Sequence, residues 1–254
     1  MRSLITIGLV AALGLANPMP GSAAFAQDMA AAVANPARTD ANRARDEGRN
    51  PSEVLAFIGV SPGDTILDVG SGGGYYSELF SPLVGPDGTV YAHNRGAADD
   101  PRWPALTEQY AGFGNIQLTP LESGVAFPME TDSVDIIMLS YIYHHLHFSE
   151  EAGDALPPAS AAALGEFLRV LRPGGTFIVI EHAATPGSTR AQSAGWHRTP
   201  PEMARTDITG AGFVFADEAR GIYFNPYDDL ANTWFDVGLA GRTTSFVHKY
   251  QVPE

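Results

Sequence analysis

The run Thr65-Ile66-Leu67-Asp68-Val69-Gly70-Ser71-Gly72-Gly73-Gly74-Tyr75-Tyr76 joins an apolar segment carrying one acid to a cluster of glycines and then to an aromatic helix start. Glycines at this density let backbone approach a ligand closely. In an open parallel sheet, the crevice at the carboxyl ends of the strands is where a nucleotide sits, facing helix N-terminal N–H groups. The phosphate-loop pattern G-x-x-x-x-G-K-[ST] fails because no Lys-Ser/Thr follows the glycines. The dinucleotide pattern G-x-G-x-x-G fails too: counted from Gly70 and Gly72, its third position falls on Tyr75. What remains is D-x-G-x-G-x-G. Its acid, Asp68, stands at the strand end, where it would repel a pyrophosphate and welcome a cation.

Histidines form the second chemical signal, because their protons move most readily near neutral pH. Tyr141-Ile142-Tyr143-His144-His145-Leu146-His147 follows one apolar run, Val134 to Leu139, and Glu181-His182 ends another, Thr176 to Ile180. If both runs are strands of one sheet, both groups reach the same rim. A metal at His144, His145 and His147 is not expected: adjacent residues do not share a helix face, only the pair three apart does, and no further ligand spacing supports it. His197, beside Trp196 on the long connection from Glu181 to Pro200, is either a lid residue that touches substrate or a solvated loop histidine. The aromatic stretch from Tyr223 to Phe235 either walls an apolar acceptor pocket or packs against the sheet edge, with packing the commoner use of aromatics. Of Tyr75 and Tyr76, one is expected against a ligand and the other in the core.

These residues need elements to hold them. Alternation of apolar runs with helical patterns predicts strand Thr65 to Val69, helix Tyr75 to Phe80, strand Thr89 to Ala92, helix near Trp103 to Phe113 and a short strand near Ile116 to Leu118. That is the rhythm of a parallel sheet. Val134 to Leu139 and Thr176 to Ile180 read as strands buried on both faces. Ala161 to Leu171 reads as a helix stopped by Pro173-Gly174-Gly175, and a helix from Pro200 to about Ala211 leads to Phe213 to Ala216 and finally Ser245 to Tyr250, an antiparallel edge pair. Ahead of the glycine run, Thr39-Asp40 caps a charged helix through Glu47, and Asn50-Pro51-Ser52-Glu53 supplies a cap, a first-turn proline and an acid for a helix to Ile58.

With 254 residues, 44% hydrophobic, the chain suffices for one sizeable core, and no internal repeat or second apolar unit divides it. Lys+Arg 15 against Asp+Glu 29 leaves a net charge of -14, so nucleic acid and anionic membrane surfaces would be repelled. The absence of cysteine excludes disulfides, thiolate catalysis and cysteine-ligated metals. Leu4 to Ala16 is an apolar run shorter than the roughly 20 residues of a bilayer span. Asn17 to Ser22 breaks it, and Ala24-Phe25-Ala26 supplies small residues for cleavage before Gln27. The expected organisation is a signal peptide over 1–26, a mobile lead-in over 27–38 and one domain over 39–254, delivered to the periplasm or secreted.

In their order along the chain, these segments resemble the class I S-adenosylmethionine-dependent methyltransferases, whose first motif has the D-x-G-x-G-x-G form. Gly88-Thr89-Val90-Tyr91-Ala92-His93-Asn94 resembles that family's second strand, Asp132 to Ile137 its fourth, and Leu168 to Thr176 the helix and turn before its fifth. The likeness covers about Pro51 to Glu181. More narrowly, Glu181-His182-Ala183-Ala184, Trp196-His197-Arg198 and Asn225-Pro226-Tyr227-Asp228-Asp229 resemble a group of predicted methyltransferases with signal peptides. The resemblance implies a seven-stranded, mainly parallel Rossmann-like α/β sheet with an antiparallel last strand, and S-adenosylmethionine as cofactor. It implies that Asp68, Gly70, Ser71, Gly72 and Gly74 hold the cofactor's methionine and ribose end, with the adenine near Glu122-Ser123-Gly124. Asn94 stands where an acid usually grips the ribose hydroxyls, and an amide loses the charge-assisted pair. For a small-molecule acceptor methylated on oxygen, His144 or His182 would act as the base; a nitrogen acceptor would need only desolvation and alignment. Two other readings stay open: an exported, non-catalytic binding module that retains the fold, and a nicotinamide oxidoreductase, which the missing third glycine disfavours.

Overall fold

The computed structural model describes residues 20–95, 101–121, 126–148, 153–235 and 238–254, with backbone alone for 20–26, 95 and 121. In chain order the elements are α1 (Pro20–Val33), α2 (Asp40–Arg43), α3 (Asp46–Arg49), α4 (Pro51–Ile58), β1 (Thr65–Val69), α5 (Tyr75–Val84), β2 (Thr89–Arg95), α6 (Trp103–Tyr110), β3 (Ile116–Leu121) and β4 (Val134–Ser140). A 3-10 turn (Tyr143–His147), α7 (Pro158–Val170), β5 (Leu171–His182), α8 (Arg190–Trp196), α9 (Pro201–Gly210), β6 (Val214–Glu218) and β7 (Ser245–Gln251) follow.

The strands form one seven-stranded sheet in the order β3-β2-β1-β4-β5-β7-β6. The first five pair in parallel, while β7 runs antiparallel between β5 and β6. This is the class I methyltransferase arrangement of a Rossmann-like sheet. Chain order reverses at β1, which pairs β2 on one side and β4 on the other. A crevice opens at the carboxyl end of such a switch strand, and the glycine run leaves β1 there.

Period-two alternation sorts the core into two layers. Ile66, Ile136, Met138, Ile178, Ile180 and Val247 pack with α1, α4 and α5 on one face. Leu67, Val69, Ile137, Leu139, Phe177 and Val179 pack with α7 and α9 on the other. The central strands are apolar on both faces because helices cover both, as expected for parallel strands.

Four local expectations are corrected. Residues 27–38, expected as a mobile lead-in, begin as the last two turns of α1, and Met29 and Ala32 are buried in the core with α4 and α5. An alanine-rich amphipathic stretch carries little periodic signal, so only the tertiary partner reveals it. Asn50 does not cap α4 through its side chain; it adopts a left-handed conformation (φ 41°) between α3 and α4, and its Nδ2 donates to the Ile222 carbonyl. The charged helix is correspondingly split into α2 and α3, with Thr39 capping the first by accepting from the Asn42 N–H. Pro173-Gly174-Gly175 does not stop the preceding helix: α7 ends at Val170, and β5 starts at Leu171 with the Pro-Gly-Gly inside it as an irregularity opposite Val134 and Ile136.

Candidate active site

Asp68 is the fourth residue of β1 and is buried on the α5 side of the sheet, where the Ser77 hydroxyl donates to Oδ2 at 2.6 Å. Burial pushes its carboxyl up to about 6, against the opposing effect of the Ser77 hydrogen bonds and the nearby Arg49 cation. Such a carboxylate is poised to gain from a bound cation. The glycine turn follows, with Gly70, Gly72 and Gly74 all at positive φ. At Gly74 a side chain would also run into the Tyr110 ring, so glycine is required there on two counts. Ser71 N–H donates to the His93 carbonyl at 2.9 Å, tying the turn to β2.

Asn94 completes that tie. Its Oδ1 accepts from Gly72 N–H at 2.7 Å, and its Nδ2 donates to Ser71 Oγ and to the Gly72 carbonyl at 3.0 and 3.2 Å. Loop and amide match because the loop offers both a donor and acceptors, and only an amide answers both. Asn94 therefore clips the glycine turn and is not among the residues lining the cavity. Glu122, expected near an adenine, lies outside the described residues.

A cavity of about 1080 Å³ opens beside Asp68, Gly70, Ser71 and Gly72. Its cover comes from a segment that sequence reasoning left without a role. Arg38, 1% exposed, donates bidentately to Asp46 at 2.9 and 2.7 Å, and Tyr75 O–H donates to the same carboxylate at 2.8 Å. Asn42 Nδ2 donates to the Gly73 carbonyl at 2.9 Å. These bonds seat α2 and α3 on the glycine turn and bring Arg45 and Arg49 to the cavity. The Arg49 guanidinium lies 4.8 Å from the ring centres of both Tyr75 and Tyr141, at cation–π distance. The signal available in sequence was four arginines between Arg38 and Arg49 in a chain with only 15 basic residues. Tyr75 and Tyr76 are both buried, and both line the cavity.

His182 forms part of the opposite wall. Its ring is sandwiched between Tyr141 and Trp234, with centroids at 4.4 and 4.9 Å, and its Nδ1 lies 2.7 Å from Thr243 Oγ1. Burial pushes its pKa down to about 4, so the ring is neutral near pH 7. Tyr141 has φ 61°, a left-handed conformation rare for an aromatic residue; its N–H donates to the Ile180 carbonyl at 2.7 Å. The aromatic stretch serves as wall as well as packing: Tyr223, Phe224, Tyr227 and Trp234 line the cavity, while buried Tyr223 also joins the core. Arg198 locks this stretch to the connection that follows β5 through a fully buried bidentate pair with Asp228, at 3.0 and 2.6 Å.

His144 does not share this cavity, contrary to the expected common rim. Glu181 and His182 are consecutive in β5 and therefore project to opposite faces. The fully buried Glu181 carboxylate accepts from the His144 N–H at 2.9 Å and lies 3.0 Å from its Nδ1, while its other oxygen accepts from the His182 N–H. Burial alone would raise this carboxyl; the His144 and His182 contacts outweigh it and hold the group low. His144 Nε2 faces His197 Nδ1 at 3.3 Å, and His144, His145 and His197 each bring a ring nitrogen within 4.8 Å of the others. His147 goes elsewhere, its Nδ1 against Arg190 in a buried group with Asp207.

Residues 67–179 match the methyltransferase-domain family. An uncharacterized methyltransferase of Mycobacteroides abscessus is 34% identical over 119 residues, 46% of this chain and 39% of its own length. The arsenite methyltransferase of Halobacterium salinarum is 26% identical over 142 residues, 55% of this chain and 32% of its own. In both, the match spans less than half of the relative. Among solved structures, a SAM-dependent methyltransferase from Aquifex aeolicus superposes with a TM-score of 0.53 at 19% identity, over 80% of this chain and 89% of that one. Motif and strand order agree with the family match: residues 67–179 are similar to methyltransferase domains, and the sheet has the class I methyltransferase fold.

Proposed function

We propose that this protein uses S-adenosylmethionine to methylate an oxygen or nitrogen of a small molecule, and that it does so outside the cytosol after loss of a leader ending at Ala26. The observation that carries the reading is one continuous cavity bounded at one end by Asp68 and the glycine turn and at the other by His182. The residues fit the cofactor. A buried carboxylate suits its cationic end, backbone at Gly70 to Gly73 allows close approach, and Trp234 Nε1 is a buried donor without a partner among the described residues. The volume exceeds the roughly 300–1000 Å³ of a typical single-ligand site, which supports a cofactor and an acceptor side by side. The small set of exported relatives suggested by Glu181-His182-Ala183-Ala184 is part of this proposal.

When bound, S-adenosylmethionine supplies an electrophilic methyl carbon on a sulfonium. The chain's own residues do the rest. Asp68 and Arg49 face a zwitterionic amino-acid end with one charge each; the two side chains are close enough for Arg49 to act on the Asp68 titration. Tyr76, Tyr141 and Trp234 exclude water from the acceptor side and align a flat apolar body. His182, neutral and held through Nδ1 by Thr243, keeps Nε2 for the proton of a hydroxyl acceptor.

Calorimetric titration with S-adenosylmethionine and S-adenosylhomocysteine, alongside Asp68→Ala, tests the reading. Binding that is lost in the variant supports it. Absence of binding to either ligand would overturn it in favour of a binding module that keeps the fold.

A further inference from the structure

The histidine group on the far side of Glu181 has the make-up of a metal centre. From this geometry we infer that His144, His145 and His197 bind a divalent first-row transition ion of the zinc type, at a site separate from the methyl-transfer cavity.

Two chain segments far apart in sequence build it. His144 and His145 sit on the 3-10 turn after β4, and His197 is the left-handed C-cap residue of α8 with φ 52°. A non-glycine residue in that conformation is strained unless its surroundings hold it, and such strain gathers at functional positions. Here it turns the imidazole onto His144. Tetrahedral zinc with Zn–N bonds of about 2.0–2.1 Å separates two ligand nitrogens by about 3.3–3.4 Å, and His144 Nε2 stands 3.3 Å from His197 Nδ1. His145 completes the set with a nitrogen no more than 4.8 Å from the other two, and it is exposed, so a rotation about its side-chain bonds closes the remaining gap.

Glu181 supplies what a ligand histidine ordinarily has behind it. Metal-bound imidazoles donate their second N–H to a carboxylate or carbonyl, which fixes the tautomer and aims the other nitrogen at the ion. The buried Glu181 Oε2 at 3.0 Å from His144 Nδ1 does this, and leaves Nε2 for the metal. Phe148 and Phe235 pack against the His197 ring at 5.5 and 5.2 Å and shield one side. Three imidazoles without thiolate or carboxylate favour zinc, cobalt, nickel or copper over magnesium or calcium. Three protein ligands also leave a coordination position for solvent. The bound ion would tie the C-terminal end of α8 to the turn that follows β4.

The test titrates chelator-treated full-length protein, free of added tag histidines, with zinc by calorimetry and with cobalt by visible absorption. Expected are one ion per chain, a zinc dissociation constant of about 1 μM or tighter, and tetrahedral cobalt bands. His197→Ala and His145→Ala each weaken zinc by about tenfold or more, and Glu181→Gln by about 10- to 100-fold; His182→Gln, on the other face of β5, leaves it unchanged. His145 and His197 are not in the core, so those variants keep the test open even if Glu181→Gln does not fold. Zinc binding that survives unchanged in both histidine variants, or no binding near that affinity, overturns the site and leaves a hydrogen-bonded histidine cluster. Neither result depends on whether S-adenosylmethionine binds.

Discussion

Glu181 and His182 are consecutive in β5 and serve opposite faces of the sheet: the carboxylate orients His144, whose Nε2 faces His197, on one side, and the imidazole walls the large cavity on the other. One strand end thus supports two sites, and the period of two in a β-strand keeps them apart.

Removing the cavity-side imidazole should affect chemistry more than binding. For a hydroxyl acceptor, His182→Gln is expected to lower kcat by about 10²- to 10⁴-fold with the cofactor Kd unchanged. Because burial holds His182 near 4, its own titration leaves kcat flat above about pH 6. Steady-state rates across pH, paired with calorimetry, check both.

With Asp68 facing the cationic end of the cofactor, binding is expected to be proton-linked. The Asp68 carboxyl, pushed up to about 6, is partly protonated at pH 6, and a bound cation favours the ionised form. Binding should therefore release up to about half a proton at pH 6 and almost none at pH 8. The sign for stability is opposite to that of a salt-bridged acid. The folded pKa lies above the ordinary aspartate value of 3.8, so the contribution is fully present below about 3.8 and is lost as pH rises through about 6. Calorimetry in buffers of different ionisation enthalpy measures the proton count; release that does not change with pH would show that Asp68 does not meet the cation.

Arg49 reaches over both Tyr75 and Tyr141, whereas Arg38 and Arg45 lie over Tyr75 at 5.5 and 5.4 Å. Arg49→Ala is expected to raise the S-adenosylmethionine KM by about tenfold or more, the worth of one hydrogen bond to a charged group, while Arg49→Lys recovers only part. Initial-rate kinetics with a working acceptor, or direct titration without one, read this out.

The Arg198–Asp228 pair is fully buried, and removing one partner strands the other charge. Arg198→Ala should destabilise the protein by about 3–5 kcal/mol. Replacing both residues with apolar ones of similar size should cost less. Urea unfolding of the three variants decides.

The N-terminus of the protein isolated from its own host is expected to begin at Gln27. Cleavage there retains Met29 and Ala32, α1 side chains that lie in the core, and Arg38 with its bonds to Asp46. A chain shortened further, to start at Thr39, loses these contacts and should melt at a lower temperature. Edman sequencing and thermal unfolding check the two statements.

Much of this architecture was readable before any coordinates. Short apolar runs such as Thr65–Val69 and Val134–Leu139, bounded by turn residues, read as buried strands, and the D-x-G-x-G-x-G turn needs a conformation that glycine alone adopts freely, so the sheet, the switch point and Asp68 are legible from local chemistry. The antiparallel edge pair was legible for the same reason. What folding alone decided are relationships between residues far apart. Arg38 meets Asp46 and Tyr75, and Arg49 reaches Tyr141, because α1 to α3 fold back over the glycine turn; no periodicity within that segment encodes its partner. Spacing within the His144 to His147 run argued against a metal, yet His197 arrives from 53 positions away to face His144 while His147 turns to Arg190. Local sequence dictates which backbone shapes are allowed and which faces are apolar, but the side chains that converge on a site are set by where the sheet and its connections bring them, and that is a property of the folded chain.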